Sequence, residues 1–290
     1  MAQERTLRVG LIQDKGYQNP QDSYQSLEQQ LHLCQQQGAQ LVLLQELHTH
    51  LYFPQTENVA HFDLSETIPG PTTDFLCQLA KKLKLVIVSS IFEKRAPGLY
   101  HNTAVVIESN GEIAGLYRKM HIPDDPGFSE KFYFTPGDLG FMPINTSVGS
   151  LGVLVCWDQW FPEAARLMAL QGADVLLYPT AIGWSAEDNQ VEQQRQSEAW
   201  ITIQRSHAIA NALPVVVANR VGKEDNTLFW GQSFIAGQQG EILQSANQSE
   251  ATVLVTDISL TRTENVRRIW PFLRDRRIDA YSELTKRFLK

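Results

Sequence analysis

Apolar residues in this chain come as short dense runs, separated by polar stretches in which leucines recur every three or four positions. Dense runs suit strands covered on both faces, and the wider spacing suits helices with one buried side. Leu7 to Gln13 reads as a strand. Asp22 to Gln37 carries Leu27, Leu31 and Cys34 at helical spacing and stops at Gly38. Leu41 to Leu44 is a continuous apolar run, Thr72 to Leu83 a helix, and Leu85 to Ile91 the next buried strand. Asn102 to Ser109 and Glu112 to Arg118 are strand-like segments joined at Asn110 and Gly111, a dipeptide that favours a hairpin turn.

The second half repeats the logic. Strand-like Leu151 to Val155 precedes a helix from Pro162 to Gln171; Asp174 to Tyr178 is a strand, Val191 to Asn211 a long helix, and Val215 to Asn219 another strand. Gln232 to Ala236, Glu241 to Gln244 and Thr252 to Ile258 read as strands near a sheet edge, the first two joined by a turn at Gly237 to Gly240. No linker, low-complexity tract or solenoid-type period interrupts the chain, so residues 1–290 read as a single domain. Strands with interspersed helices fit either two packed mixed sheets with helices outside, a four-layer α-β-β-α sandwich, or one doubly wound sheet.

Composition narrows the function classes. The chain has 290 residues, 43% hydrophobic and 20% charged, with a net charge of -7. No block of Lys and Arg runs along it, which argues against nucleic acid and anionic membrane as partners. The acidic balance is compatible with a cationic substrate. Three scattered cysteines, Cys34, Cys77 and Cys156, form no disulfide framework and suit a reducing compartment. Met1 to Thr6 lacks an apolar signal segment, and no run of about 20 apolar residues spans a bilayer. A cytoplasmic protein is the expectation.

Three strand ends carry reactive side chains. Cys156 closes the run from Leu151 and is followed by Trp157 to Glu163, so a rigid strand delivers one thiol to a sharp turn that opens a helix. Glu46 follows Leu41 to Gln45, and Lys119 follows Gly115 to Arg118. A charge directly after an apolar strand is costly unless exposed, paired or functional. The plainer alternatives are a core cysteine, a solvated strand terminus and a surface lysine. His48 and His50 lack a matching third ligand and no His-Glu-x-x-His segment is present, so no metal is expected; no glycine-rich dinucleotide fingerprint follows a strand, so no organic cofactor is expected either. Cys34 and Cys77 fall in helices as packing residues.

Taken together, Leu44 to Glu46, Tyr117 to Pro123 and Val155 to Asp158 resemble the nitrilase superfamily of C-N hydrolases. Supporting stretches are Asn102 to Val105, Phe134 to Asp138, Phe161 to Glu163 and Ala218 to Arg220, in that family's order and covering nearly the whole chain. The resemblance implies the α/β four-layer α-β-β-α sandwich, a Glu46-Lys119-Cys156 triad, no metal and no cofactor. It places Glu130 where many amide-cleaving members carry a second carboxylate. In that scheme Glu46 is the general base, Cys156 the nucleophile, and Lys119 with the backbone N–H of Trp157 the oxyanion holder.

The stretches His50 to Pro54, His121 to Phe128, Pro179 to Trp184 and Arg274 to Arg277 resemble one branch of that family, and the resemblance implies a small cationic ureido substrate. A distal ammonium wants an apolar or aromatic tunnel ending in a carboxylate. Tyr52, Trp157 and Trp184 are candidate walls; Asp125, Glu187 and Asp188 are candidate ends. The alternatives are a β-ureidopropionase-like carbamoylase, an ω-amidase, or a non-catalytic binding protein on the same fold. The resemblance also implies homo-oligomers built from dimers, with an aromatic and basic tail at 261–290 covering a neighbouring subunit.

Overall fold

The computed structural model describes residues 4–290. Its first sheet is built from β1 (Thr6–Gln13), β2 (Leu41–Leu43), β3 (Val86–Ala96), β4 (Leu99–Ile107) and β5 (Ile113–Arg118). The second holds β6 (Ile144–Thr146), β7 (Gly149–Val153), β8 (Val175–Thr180) and, after the short β9 (Gly183–Ser185), β10 (Val215–Asn219). β11 (Val221–Glu224) and β12 (Thr227–Trp230) join β9 in a small third sheet. β13 (Phe234–Ala236) and β14 (Ile242–Ser245) extend the second sheet, and β15 (Thr252–Ser259) returns to the first beside β1. The orders are β15-β1-β2-β3-β4-β5 and β14-β13-β10-β8-β7-β6.

Helices α1 (Pro20–Gln36) and α2 (Pro71–Leu83) are followed by the single turn α3 (Glu130–Tyr133), then α4 (Pro162–Leu170), α5 (Gln190–Asn211) and α6 (Thr261–Ile269). Local chemistry sets the boundaries. Asn19 accepts a bond from the Gln21 N–H ahead of Pro20 at the start of α1, and Lys84 in the left-handed region ends α2. The turn at Asn110 and Gly111 forms as expected; Gly111 has φ +89°, and a Cβ there would lie 2.7 Å from the Cys77 carbonyl oxygen.

Alternation along the strands makes the layers. Val9, Leu11, Leu41, Leu43, Val86, Val88, Ala104 and Val106 face the second sheet and meet Leu151, Val153, Val175, Leu177, Val215 and Val217. The intervening Val42, Leu44, Ile87, Val105 and Ile107 face outward onto Leu27, Leu31, Leu76 and Leu79 of α1 and α2. Leu176 and Val216 belong to the same core as Ala164, Met168, Trp200 and Ala208 of α4 and α5. The result is the four-layer α-β-β-α sandwich rather than one doubly wound sheet. Each buried aliphatic side chain contributes about 1.5–3 kcal/mol.

Direction decides where chemistry collects. β1, β2 and β3 run parallel, and β5, two antiparallel steps from β3, shares their direction. β7, β8 and β10 are likewise parallel. The carboxyl ends of β2 and β5 in one sheet and of β7, β8 and β10 in the other supply the residues of the site, as is usual for open α/β sheets.

Candidate active site

Glu46 lies three residues beyond β2, Lys119 is the first residue after β5, Cys156 stands three residues past β7, and Glu130 opens α3. Glu46, Lys119 and Glu130 are fully buried, and Cys156 is 4% exposed. Lys119 Nζ donates to Glu46 Oε1 at 2.8 Å and to Glu130 Oε1 and Oε2 at 2.9 and 2.7 Å. The two carboxylates, far apart in the chain, therefore share one ammonium. Asn102 Nδ2 also donates to Glu46 Oε1, at 2.6 Å, and Tyr52 Oη donates to Glu130 Oε1 at 2.6 Å. Glu46 Oε2 has no hydrogen-bond partner.

The charges explain the titration. Burial alone would lower the Lys119 pKa, but Glu130, Glu46 and Cys156 outweigh it and hold it above its ordinary value. One cation faces two carboxylates in a dry site. Burial, tempered by Lys119 and reinforced by Glu46, pushes Glu130 up to about 7. Burial and Glu46 push the Cys156 thiol well above its ordinary range, against the opposing pull of Lys119. The sulfur thus rests as a thiol beside a carboxylate, an arrangement that uses a base rather than a preformed thiolate.

Cys156 sits at φ +44°, in a conformation that an L side chain adopts under constraint. Asp158 supplies the constraint. Its Oδ2 accepts from the Val155 N–H at 2.9 Å and from Tyr117 Oη at 2.8 Å, and its Oδ1 accepts from the His121 N–H at 3.0 Å and lies 2.7 Å from His121 Nδ1. One buried carboxylate thereby ties the thiol turn to the loop that follows Lys119. The turn itself is 3-10 from Cys156 to Trp160 before α4 begins, so the thiol precedes the α-helix by a full turn instead of opening it. Among the described residues the Trp157 N–H donates to no protein acceptor, which leaves it available to an oxygen beside the sulfur.

A cavity of about 540 Å³ opens onto Cys156 and Glu130. Trp157, Trp160, Phe128 and Trp230 give it aromatic walls, and Asp125, Asp188, Glu192 and Arg195 give it charge. Asp125 Oδ1 is buried without a partner, and burial raises the carboxyl above its ordinary range. Trp157 and Asp125 both line this cavity. Three other expectations are corrected. Tyr52 is no tunnel wall: at 1% exposed it lies behind Glu130 and orients it, its ring against Phe128 and Phe229. Trp184 donates its Nε1 to the Gln193 carbonyl and backs Trp230, whose ring is 5.2 Å away and lines the cavity in its place. Glu187 lines a neighbouring concavity with Asp225 and Asn226, because the Ser185 to Asp188 turn sends successive side chains to opposite sides; Asp188 is the one that reaches the thiol's cavity.

Sequence reasoning missed Asn102 as a partner of Glu46, and Glu192 and Arg195 on α5. The last two sit at i, i+3, with Arg195 Nη1 3.5 Å from Glu192 Oε2; their spacing was legible, their direction was not. Among the described residues no cluster of three or more His, Cys, Asp or Glu side chains is arranged to hold a metal ion, and no helix is long and apolar enough to cross a membrane.

The family model described as carbon-nitrogen hydrolase matches residues 8–268. The N-carbamoylputrescine amidase of Solanum lycopersicum is 43% identical over 266 residues, covering 89% of this chain and 87% of that protein. The citrullinase of Francisella tularensis is 36% identical, covering 97% and 99%. Among solved structures, a carbon-nitrogen hydrolase from Helicobacter pylori G27 superposes with a TM-score of 0.95 at 52% identity, covering 98% of this chain and all of that one.

Proposed function

The chain belongs to the carbon-nitrogen hydrolase family, and from that premise we propose that it cleaves N-carbamoylputrescine to putrescine, carbon dioxide and ammonia. It is an amidohydrolase that works through Cys156. The observation that carries the substrate reading is the charge around the thiol's cavity: besides Glu130, which is paired with Lys119, three carboxylates, Asp125, Asp188 and Glu192, stand against one guanidinium, Arg195. A net negative aromatic tunnel suits a chain that ends in an ammonium. The unpartnered Asp125 Oδ1 is its natural acceptor.

In the reaction, the ureido carbon lies over Cys156. Glu46 Oε2 takes the thiol proton as sulfur attacks, and charge collects on the ureido oxygen. The Trp157 N–H and Lys119 Nζ hold that oxygen; Lys119, whose donors are all occupied at rest, releases one of its two bonds to Glu130. Each such donor is worth about 10²–10³ in rate. Protonated Glu46 gives its proton to departing ammonia, leaving an alkylcarbamoyl thioester. Water, deprotonated by Glu46, resolves it to a carbamate, which loses carbon dioxide and frees putrescine. Glu130, oriented by Tyr52, holds Lys119 through the cycle.

Arg195 favours a second reading. A guanidinium on the cavity wall suits a carboxylate, and citrulline presents a ureido group with both an ammonium and a carboxylate. Ammonia release from N-carbamoylputrescine, citrulline, N-carbamoyl-β-alanine and glutaramate separates the two. The amine is expected to exceed the others at least tenfold in kcat/KM, about 1.4 kcal/mol of discrimination. Preference for citrulline would transfer the substrate assignment and leave the Cys156 chemistry intact.

The tail exposes Ile269, Trp270, Phe272, Ile278, Leu284 and Phe288, more apolar surface than a solitary subunit keeps uncovered. It supports an assembly of at least two copies in which residues 261–290 cover a neighbour. Light scattering of the full chain is expected to give a dimer or a multiple of it; a monomer at micromolar concentration would remove this part of the reading.

A further inference from the structure

We propose that Ser90 and Asn102 form a directional relay that holds Glu46 with its free oxygen toward the thiol; this rests on the reading of Glu46 as the base for Cys156. The two residues are fully buried on neighbouring strands β3 and β4. Ser90 Oγ accepts from the Leu47 N–H at 3.3 Å and donates its one proton to Asn102 Oδ1 at 2.9 Å. A hydroxyl has a single O–H, so its direction decides which end of the Asn102 amide faces it. With Oδ1 turned to Ser90, Nδ2 must face Glu46, and it does so at 2.6 Å.

The consequence falls on the base. Oε1 of Glu46 takes both the Asn102 amide and the Lys119 ammonium, while Oε2 keeps its lone pairs for the thiol proton. A donor on a carboxylate favours the ionised form, which is the form a base needs. Asn102 also accepts the Lys119 N–H on its backbone carbonyl at 2.9 Å. A side-chain substitution leaves that bond in place and isolates the effect on Glu46. Leu47, at φ +48°, is gripped on its carbonyl by Arg220 at 2.8 Å and on its N–H by Ser90, so the backbone beyond Glu46 is fixed from both sides.

The test is alkylation of Cys156 by iodoacetamide, read by peptide mass spectrometry from about pH 6 to pH 9. Sulfur displaces iodide and its proton passes to Glu46, so no knowledge of the substrate is needed. The charged or titratable groups around Glu46 are Lys119, Glu130, Tyr52, Cys156 and Arg220, whose guanidinium donates to the Glu46 carbonyl at 3.2 Å, and every variant keeps them. Glu46→Gln is the control: if it fails to slow alkylation, the base assignment itself falls. If it does slow it, Asn102→Ala is expected to react about tenfold more slowly, the size of one charge-assisted hydrogen bond, with the slowing greatest at the acid end of the range. Ser90→Ala removes one hydroxyl and slows the reaction in the same pH-dependent way by less; it carries the test if Asn102→Ala does not fold. An unchanged rate, or a slowing uniform across the range, would overturn the relay.

Discussion

Cys156→Ala is expected to lose ammonia release from N-carbamoylputrescine by about 10⁴-fold or more while melting within a few degrees of the parent chain. Two features make this a clean test. The cysteine carries no structural bond beyond a long contact from its sulfur to the Ala181 carbonyl, 3.8 Å away. Its turn is held by Asp158 through backbone and side-chain partners that alanine leaves untouched. The substitution therefore removes one small buried side chain, a loss of order 1 kcal/mol, and with it the atom that forms the covalent intermediate. Urea or thermal melting monitors the fold, and coupled ammonia detection the activity. Persistent turnover in the folded variant would remove the nucleophile from the account.

Lys119→Ala has the opposite character: activity and stability fall together. It strips the one ammonium from between two fully buried carboxylates. Breaking a buried ion pair from one side costs about 3–5 kcal/mol, since the orphaned charge stays in the dry site, and at this chain length that is on the order of 10 °C in melting temperature. The penalty depends on pH with a definite sign. Burial already raises Glu130 to about 7 in the folded chain against an ordinary 4.5, and loss of Lys119 raises it further. Between the ordinary and the raised value the folded state binds more protons than the unfolded one, so stability declines as pH rises across that window. The gap between parent and variant is therefore expected to be larger at about pH 8 than at about pH 5, the growth falling above about pH 7, where Glu130 of the parent has lost its proton and that of the variant has not. Melts at both ends of that range decide it; a gap that is constant or narrows with rising pH would contradict the picture of one cation shared by two carboxylates.

Much of the frame was legible because dense apolar runs have few interpretations. Leu41 to Leu44 and Val215 to Val217 lie at the centre of their sheets, and α1, α2, α4 and α5 begin and end within a residue or two of the ranges that their sequence predicts. Whether the strands form one sheet or two was not legible from period alone: the alternation of Val86 and Val88 against Ile87 becomes meaningful only when the opposite faces meet different partners. β3 runs five residues past its apolar stretch, through Glu93, Lys94 and Arg95, because Glu93 pairs with Arg118 across the sheet; charge concealed that extension. The small sheet of β9, β11 and β12 escaped notice because its strands are three or four residues long and carry Ser185, Lys223 and Glu224, none of which reads as strand.

The site divides the same way. Glu46, Lys119 and Cys156 stood out as charges or a thiol set directly after apolar strands; Lys119 bonds Glu46, and the charges of both act on the Cys156 thiol. Substrate contacts depend on the direction of loop side chains, which adjacency cannot fix: Glu187 and Asp188 are neighbours, yet only Asp188 faces the thiol's cavity. Tyr52 illustrates a role that a lone sequence conceals, since a phenol in an aromatic run reads as a wall until Glu130 is found at its hydroxyl.

The covalent intermediate is the point on which the chemistry turns. Enzyme mixed with N-carbamoylputrescine, quenched in acid during turnover and digested, is expected to yield the peptide containing Cys156 heavier by one alkylcarbamoyl group, with the adduct absent in Cys156→Ala and undiminished Cys34 and Cys77 peptides as internal controls. Steady turnover with no adduct on Cys156 at any quench time, or an adduct on another residue, would contradict attack by this sulfur.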